Sequence, residues 1–229
     1  MPHVRSVSIG VWLTRGSRHE PVAHSGIAHF VEHMLFKGTT SRSAEDIAQT
    51  IDSIGGQMDA FTAKEYASYY LKVLDEHLPL ALDVIADIVR RPAFAPEDIE
   101  REKKVVLEEI KMVEDTPDDL VHELFSEQFW KDHPLGRPIL GVPESVSALD
   151  QAALRSYFDG TYHAGNLIVS AAGHITPEQV SELAERHFGD LPGAPPVGDG
   201  EAPRVVPHVL IRSKELEQSH VCLGTDGLP

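Results

Sequence analysis

The pentapeptide His29-Phe30-Val31-Glu32-His33 constrains this chain more than any other stretch of it. Its surroundings predict a helix over residues 25–36, with Ser25 as the candidate cap and Gly38 as the stop after the last apolar residue. Residues at i, i+3 and i+4 of a helix share a face, so His29, Glu32 and His33 point together. Two imidazoles one turn apart suit a single tetrahedral metal ion. Any fold that uses this face must therefore deliver a further donor to it from a distant part of the chain.

A second helix supplies candidates. Residues 96–114 begin with Pro in the first turn, a favoured position for it. Positions 99, 102, 106, 109 and 113 form one stripe, and they hold Ile99, Glu102, Val106, Glu109 and Val113. Two carboxylates in an apolar stripe are costly unless paired or bound to metal. Glu108 falls on the face of Arg101, Lys104 and Lys111, an ordinary solvated charge face, so Glu109 is the better third ligand. Glu102, two turns away, is placed to accept the N–H of a ligating histidine. Competing explanations are a histidine pair on a polar helix face and two glutamates ion-paired beneath a sheet. The order H-x-x-E-H reverses the commoner H-E-x-x-H zinc-protease motif, whose central carboxylate reaches a water on the ion.

The remaining chain mixes strands and helices without a βαβ rhythm. Val7, Ile9, Val11 and Leu13 alternate with small or polar residues and predict a strand over 4–14. Strands follow at 57–62, 65–73 and 166–172, and helices at 43–54, 75–90, 117–130, 150–158 and 176–187. No Gly-rich phosphate loop follows a strand, which argues for α+β and against a dinucleotide fold. Residues 189–207 are so rich in Gly and Pro that they read as a linker. Beyond it, 208–212 and 219–225 look like two short strands. These either join the main sheet or open a second domain.

Composition narrows the function classes. Twenty Lys and Arg against 36 Asp and Glu give a formal charge of −16. Phosphate neutralisation needs a basic surface, so nucleic acid is excluded as a partner, and binding to an anionic membrane is disfavoured. The single cysteine, Cys222, permits no internal disulfide or thiolate cluster and reads as a small core residue. No apolar run approaches the roughly 20 residues of a membrane span. The N-terminus lacks a signal-peptide pattern. Apart from His29 and His33, none of the thirteen histidines shows ligand pairing at helical or strand spacing.

At these motifs the sequence resembles the pitrilysin/insulinase (M16) family of zinc peptidases, and within it the mitochondrial processing peptidase type with its bacterial relatives. Gly16-Ser17-Arg18-His19-Glu20 and the run from Gly26 to Thr39 carry the likeness. His133 to Gly136, Gly141 and residues 162–173 extend it. The resemblance implies a two-layer α/β sandwich with a mixed, largely antiparallel sheet covered by helices. It implies Zn²⁺ on His29, His33 and Glu109, with Glu102 behind the ligands and Glu32 as general base in hydrolysis of peptide bonds. An extended peptide, presequence-like for example, would add beside Asp59, Ala60, Phe61 and Thr62. The family has Asn where this chain has Asp59. An ionised Asp cannot donate to a substrate carbonyl, and it favours basic substrates.

The family pattern also implies a second, homologous half that closes over the substrate. On that expectation residues 1–188 are the zinc-binding catalytic domain, short of its opening strand, and 208–229 begin a truncated second domain. The partner is then a complementary C-terminal half or subunit, with a dimer in the full-length form. The expected location is the bacterial cytoplasm, with the mitochondrial matrix as alternative. The alternative function is a non-catalytic scaffold of the same fold.

Overall fold

The computed structural model describes residues 1–193, 198, 200–205 and 207–227. Among these residues four strands form one sheet: β1 (Ser6–Leu13), β2 (Gln57–Thr62), β3 (Ala67–Leu74) and β4 (Leu167–Gly173). Their order is β2-β3-β1-β4. All three pairings are antiparallel, so among the described residues the sheet has no parallel component. β1 lies at the centre, and Ile9 faces Leu71 on one side and Ala171 on the other. A strand that starts near residue 1 thus finds partners about 60 and 160 residues later, which its own pattern cannot announce.

Among the described residues eight α-helices accompany the sheet: α1 (Ile27–Leu35), α2 (Ala44–Ser53), α3 (Leu78–Arg90), α4 (Pro96–Asp115), α5 (Pro117–Phe129), α6 (Pro143–Ala148), α7 (Gln151–Thr161) and α8 (Pro177–Phe188). The period-two pattern of β1 turns Val7, Ile9, Val11 and Leu13 into the core, where each is at most 1% exposed. There they join Leu71 of β3, Phe30 and Met34 of α1, and Leu82 and Ile85 of α3. α3 packs on β1 and β3, while α1 lies against β2, α4 and α7. On the opposite face of the sheet, Ser8, Phe61, Lys72, Ser170 and Ala172 are exposed. Among the described residues no helix is long and apolar enough to cross a membrane.

Several expectations are corrected. α1 starts two residues late, and its cap is Gly26 rather than Ser25. Gly26 has φ 93°, a left-handed conformation that suits glycine, and a Cβ there would meet Leu140 O at 2.5 Å. α6 was not anticipated, because six residues are too few to show a helical period. Residues 208–212 and 219–225 form no strand. Val209, Ile211, Val221 and Leu223 alternate as strand residues do, yet they are 76–90% exposed. The pattern fits a strand, but strand structure also needs a neighbouring edge to bond with.

The segment instead runs from the end of α4 along α5. Lys214 Nζ reaches Asp115, His220 Nδ1 lies 2.7 Å from Asp118, and Cys222 lies 3.9 Å from His122. Cys222 is therefore half-buried beside a histidine and not a core residue. Of the 189–207 stretch, residues 194–197, 199 and 206 lie outside the described residues, and the rest hold no helix or strand.

Candidate metal centre

α1 has two contrasting faces. Phe30, Val31 and Met34 are completely buried in the core. This fixes the rotation of the helix and leaves His29, Glu32 and His33 facing α4 and β2. The rings of His29 and His33 lie 4.5 Å apart. The first turn of α1 is held from outside the helix. Glu20, buried before it, accepts hydrogen bonds from the backbone N–H of Gly26 at 2.8 Å and of Ala28 at 2.7 Å. A carboxylate is well placed at a helix N-terminus. Burial nevertheless pushes its pKa up to about 7, against the opposing pull of those two N–H groups, Arg137 and Lys64.

α4 brings the third donor. Glu109 Oε2 lies 3.9 Å from His29 Nε2 and 3.6 Å from His33 Nε2. One donor atom from each residue falls within 4.8 Å of the other two. Donors bound at about 2.0–2.2 Å to a tetrahedral ion stand about 3.3–3.6 Å apart, so this set fits one ion with little adjustment. Two imidazoles and one carboxylate are a donor set that zinc accepts, with a fourth position left open. Glu108 points away and pairs with Lys111 at 2.6 Å on the exposed side.

The histidines differ in their support. His33 Nδ1 lies 3.2 Å from Glu102 Oε1, which assigns the proton to Nδ1 and leaves Nε2 free to bind an ion. Glu102 is only 4% exposed, and its other oxygen pairs with Lys37 Nζ at 2.7 Å. His29 Nδ1 is buried and has no hydrogen-bond partner, so an ion on Nε2 would be what fixes its tautomer. Burial, then the neighbouring His33, lower the His29 pKa to about 3, which keeps the imidazole neutral and its lone pair available.

Glu32 sits beside these donors. Burial raises its pKa, opposed by a hydrogen bond from Thr62 Oγ1 to its Oε2. Thr62 ends β2, the edge strand, so β2 carries the neighbour of Glu32 and an edge that pairs with no other strand among the described residues. The pleat divides the four strand residues picked from the sequence. Ala60 and Thr62 are half-buried, whereas Asp59 and Phe61 are exposed. Phe61 contacts Trp12 on the far side of the sheet, 6.0 Å between centroids. Asp59 accepts from Tyr70 Oη at 3.0 Å and from the Ala60 N–H at 2.8 Å. A cleft of about 330 Å³ opens next to Glu32 and His33, lined also by Phe36, Lys37, Met58, Asp59 and Ala60. Phe36, Lys37 and Met58 were not singled out from the sequence. The one available signal was that Lys37 stands one turn beyond His33.

Residues 1–142, more than half of the chain, match the family described as Insulinase (Peptidase family M16). The chain belongs to this family. Residues 148–229 match a second family description, Peptidase M16 inactive domain, and every residue discussed above as donor, base or cleft wall lies in the first match. The uncharacterized zinc protease YmxG of Bacillus subtilis is 47% identical over 227 residues, 99% of this chain and 55% of that protein. An uncharacterized zinc protease of Streptomyces coelicolor is 42% identical over 236 residues, covering 100% of this chain and 51% of its own length. The chain thus spans about half the length of these relatives.

Among solved structures, pitrilysin superposes with a TM-score of 0.79 at 25% identity, over 90% of this chain and 23% of its own. A protease from Helicobacter pylori gives 0.80 at 23% identity, over 88% and 49%, and shares the fold.

Proposed function

We propose that this chain is the metal-binding half of a zinc-dependent endopeptidase acting on extended, presequence-like peptides. The observation that carries the reading is the convergence of His29 Nε2, His33 Nε2 and Glu109 Oε2 beside a half-buried carboxylate, Glu32. The names of the relatives, zinc proteases, support zinc as the ion. When bound, zinc supplies Lewis-acid polarisation of the scissile carbonyl and activation of water near neutral pH.

The chain's own groups do the rest. Glu32 takes a proton from the attacking water and delivers it to the leaving amine. Its raised pKa moves it toward the range in which a carboxyl can both accept and release a proton near neutrality. Thr62 holds Glu32 against rotation. Glu102 orients His33. The free edge of β2 at residues 59–62 pairs with the substrate backbone, so recognition depends on extended shape. Asp59 stands at the mouth of the cleft and attracts basic side chains.

In the same reading, residues 1–188 form the catalytic domain, 189–207 a linker and 208–229 the opening of a second, homologous domain. A complementary half, on the same chain or another, completes the site, and the full-length form is dimeric. Bacterial relatives support a bacterial location, for which the cytoplasm is proposed.

Metal analysis and a peptidase assay with Glu32→Gln test this. The unsubstituted chain is expected to carry about one zinc, and Glu32→Gln to keep the metal while losing hydrolysis by at least about 100-fold. Hydrolysis is read with a complementary C-terminal half present. Retained activity in Glu32→Gln would overturn the mechanism. Less than about 0.1 zinc per chain after gentle purification would favour a non-catalytic scaffold.

A further inference from the structure

We propose that Lys37 is a positioning residue of the metal centre, acting on His33 through Glu102. The inference rests on the zinc reading of His29, His33 and Glu109. Lys37 follows α1 and is one turn beyond His33. Its ammonium lies 2.7 Å from Glu102 Oε2, while Glu102 Oε1 lies 3.2 Å from His33 Nδ1. The three side chains form a line from the cleft wall to the donor set, with the carboxylate in the middle.

Geometry makes the lysine necessary. Glu102 is 4% exposed, so its oxygens depend mainly on protein partners. A buried carboxylate has to be paired, and a carboxylate with one unpaired oxygen is free to rotate about its last torsion. Anchoring Oε2 on the ammonium fixes that torsion and presents Oε1 to the Nδ1–H of His33. This in turn fixes the ring so that Nε2 faces Glu109, 3.6 Å away. His29, whose Nδ1 has no partner, lacks any such support. The protein thus pre-orients one of its two histidines, and Lys37 is the outer end of that support. Lys37 also lines the cleft, so its charge faces both the carboxylate and the space beside Glu32.

Zinc affinity measured by competition with a chromophoric chelator tests the proposal apart from activity. Lys37→Met is expected to weaken zinc binding by about 10–100-fold, the usual effect of losing a group behind a ligand. Lys37→Arg, which keeps a cation in reach, is expected to stay within about threefold of the parent chain. Lys103→Met removes a lysine of α4 that pairs with Glu100 at 2.7 Å, and is expected to leave affinity unchanged.

The decisive arm is Glu102→Gln. In that background Lys37→Met should cost no more than about threefold, because its route to His33 is already cut. A full loss there, or zinc binding by Lys37→Met within about threefold of the parent, overturns the proposal. If Lys37→Met does not fold, Lys37→Gln gives the same comparison. A different failure marks the underlying reading. If the parent chain binds no zinc, or binds it equally well after His33→Ala, the zinc assignment itself falls.

Discussion

Glu108 and Glu109 are adjacent and chemically identical, yet one turns to solvent and Lys111 while the other turns to two imidazoles. Helical spacing alone separates them, because a carboxylate in line with Ile99 and Val106 needs a reason. Removing each in turn is therefore informative. Glu109→Gln is expected to weaken zinc binding by more than about 100-fold, and Glu108→Gln by less than about twofold, in the same chelator competition. Equal losses would show that the donor set is wrongly assigned. His29, Glu32, His33 and Glu102 were legible for the same reason, since helical spacing is local. Thr62 was legible only as part of a strand. Its contact with Glu32 depends on how β2 packs against α1, and one hydroxyl in a strand carries no mark of that. Lys37 was missed because a lysine after a helix is usually solvated.

Two buried carboxyls fix whole elements, and they answer to pH with opposite sign. Glu20 caps α1 from six residues before Gly26, which is why the expectation of a local Ser25 cap failed. Its carboxyl rises from the ordinary 4.5 to about 7 through burial. Between those values the folded state holds a proton that the unfolded state has released, so folding stability falls as pH rises through this window. Urea titrations from pH 4.5 to 7 should show that decline, and Glu20→Gln should flatten it. An unchanged slope in Glu20→Gln would exclude Glu20 as its source. Glu20→Ala should cost about 1–3 kcal/mol near pH 4.5 by stranding two N–H groups, and less as pH rises through the window.

Asp87 of α3 is the converse. It has no exposed surface, and burial opposes its charge. Hydrogen bonds from Ser41, Thr39, Arg91 and Arg42 outweigh that and bring its pKa down to about 2. They clasp the link between α1 and α2 onto α3. This contribution is present above the ordinary value of 3.8 and is lost as pH falls toward 2. Asp87→Ala should therefore destabilise the neutral-pH protein by about 3 kcal/mol, since it leaves Arg42 and Arg91 facing a buried gap. A loss below about 1 kcal/mol in thermal or urea unfolding would show that the clasp is not structural.

At the scale of the molecule, the sequence read the helices and the four strands well, but not what lies beyond residue 207. Residues 208–225 have the alternation of strands and, among the described residues, pair with no strand. Strand structure belongs to a sheet, so a pattern alone could not decide it. Side chains of Glu109 and Lys37 remain 34% and 37% exposed, and the cleft is walled by α1, the residues just after it, and β2. Of the charged residues that line it, Glu32 and Asp59 outnumber Lys37, in a chain of net charge −16. A field of that sign raises the local concentration of cationic peptides, and it does so over distances that salt controls. With a complementary half supplied, kcat/KM for an extended peptide bearing several Arg or Lys should therefore fall at least about fivefold between 0.05 and 0.5 M salt. A neutral peptide of the same length should change by less than about twofold. Asp59→Asn should shrink the difference between the two peptides without abolishing it, because Glu32 also lines the cleft and the chain as a whole is acidic. Equal salt response of both peptides would remove electrostatic steering from the account and leave the free edge of β2 as the source of recognition.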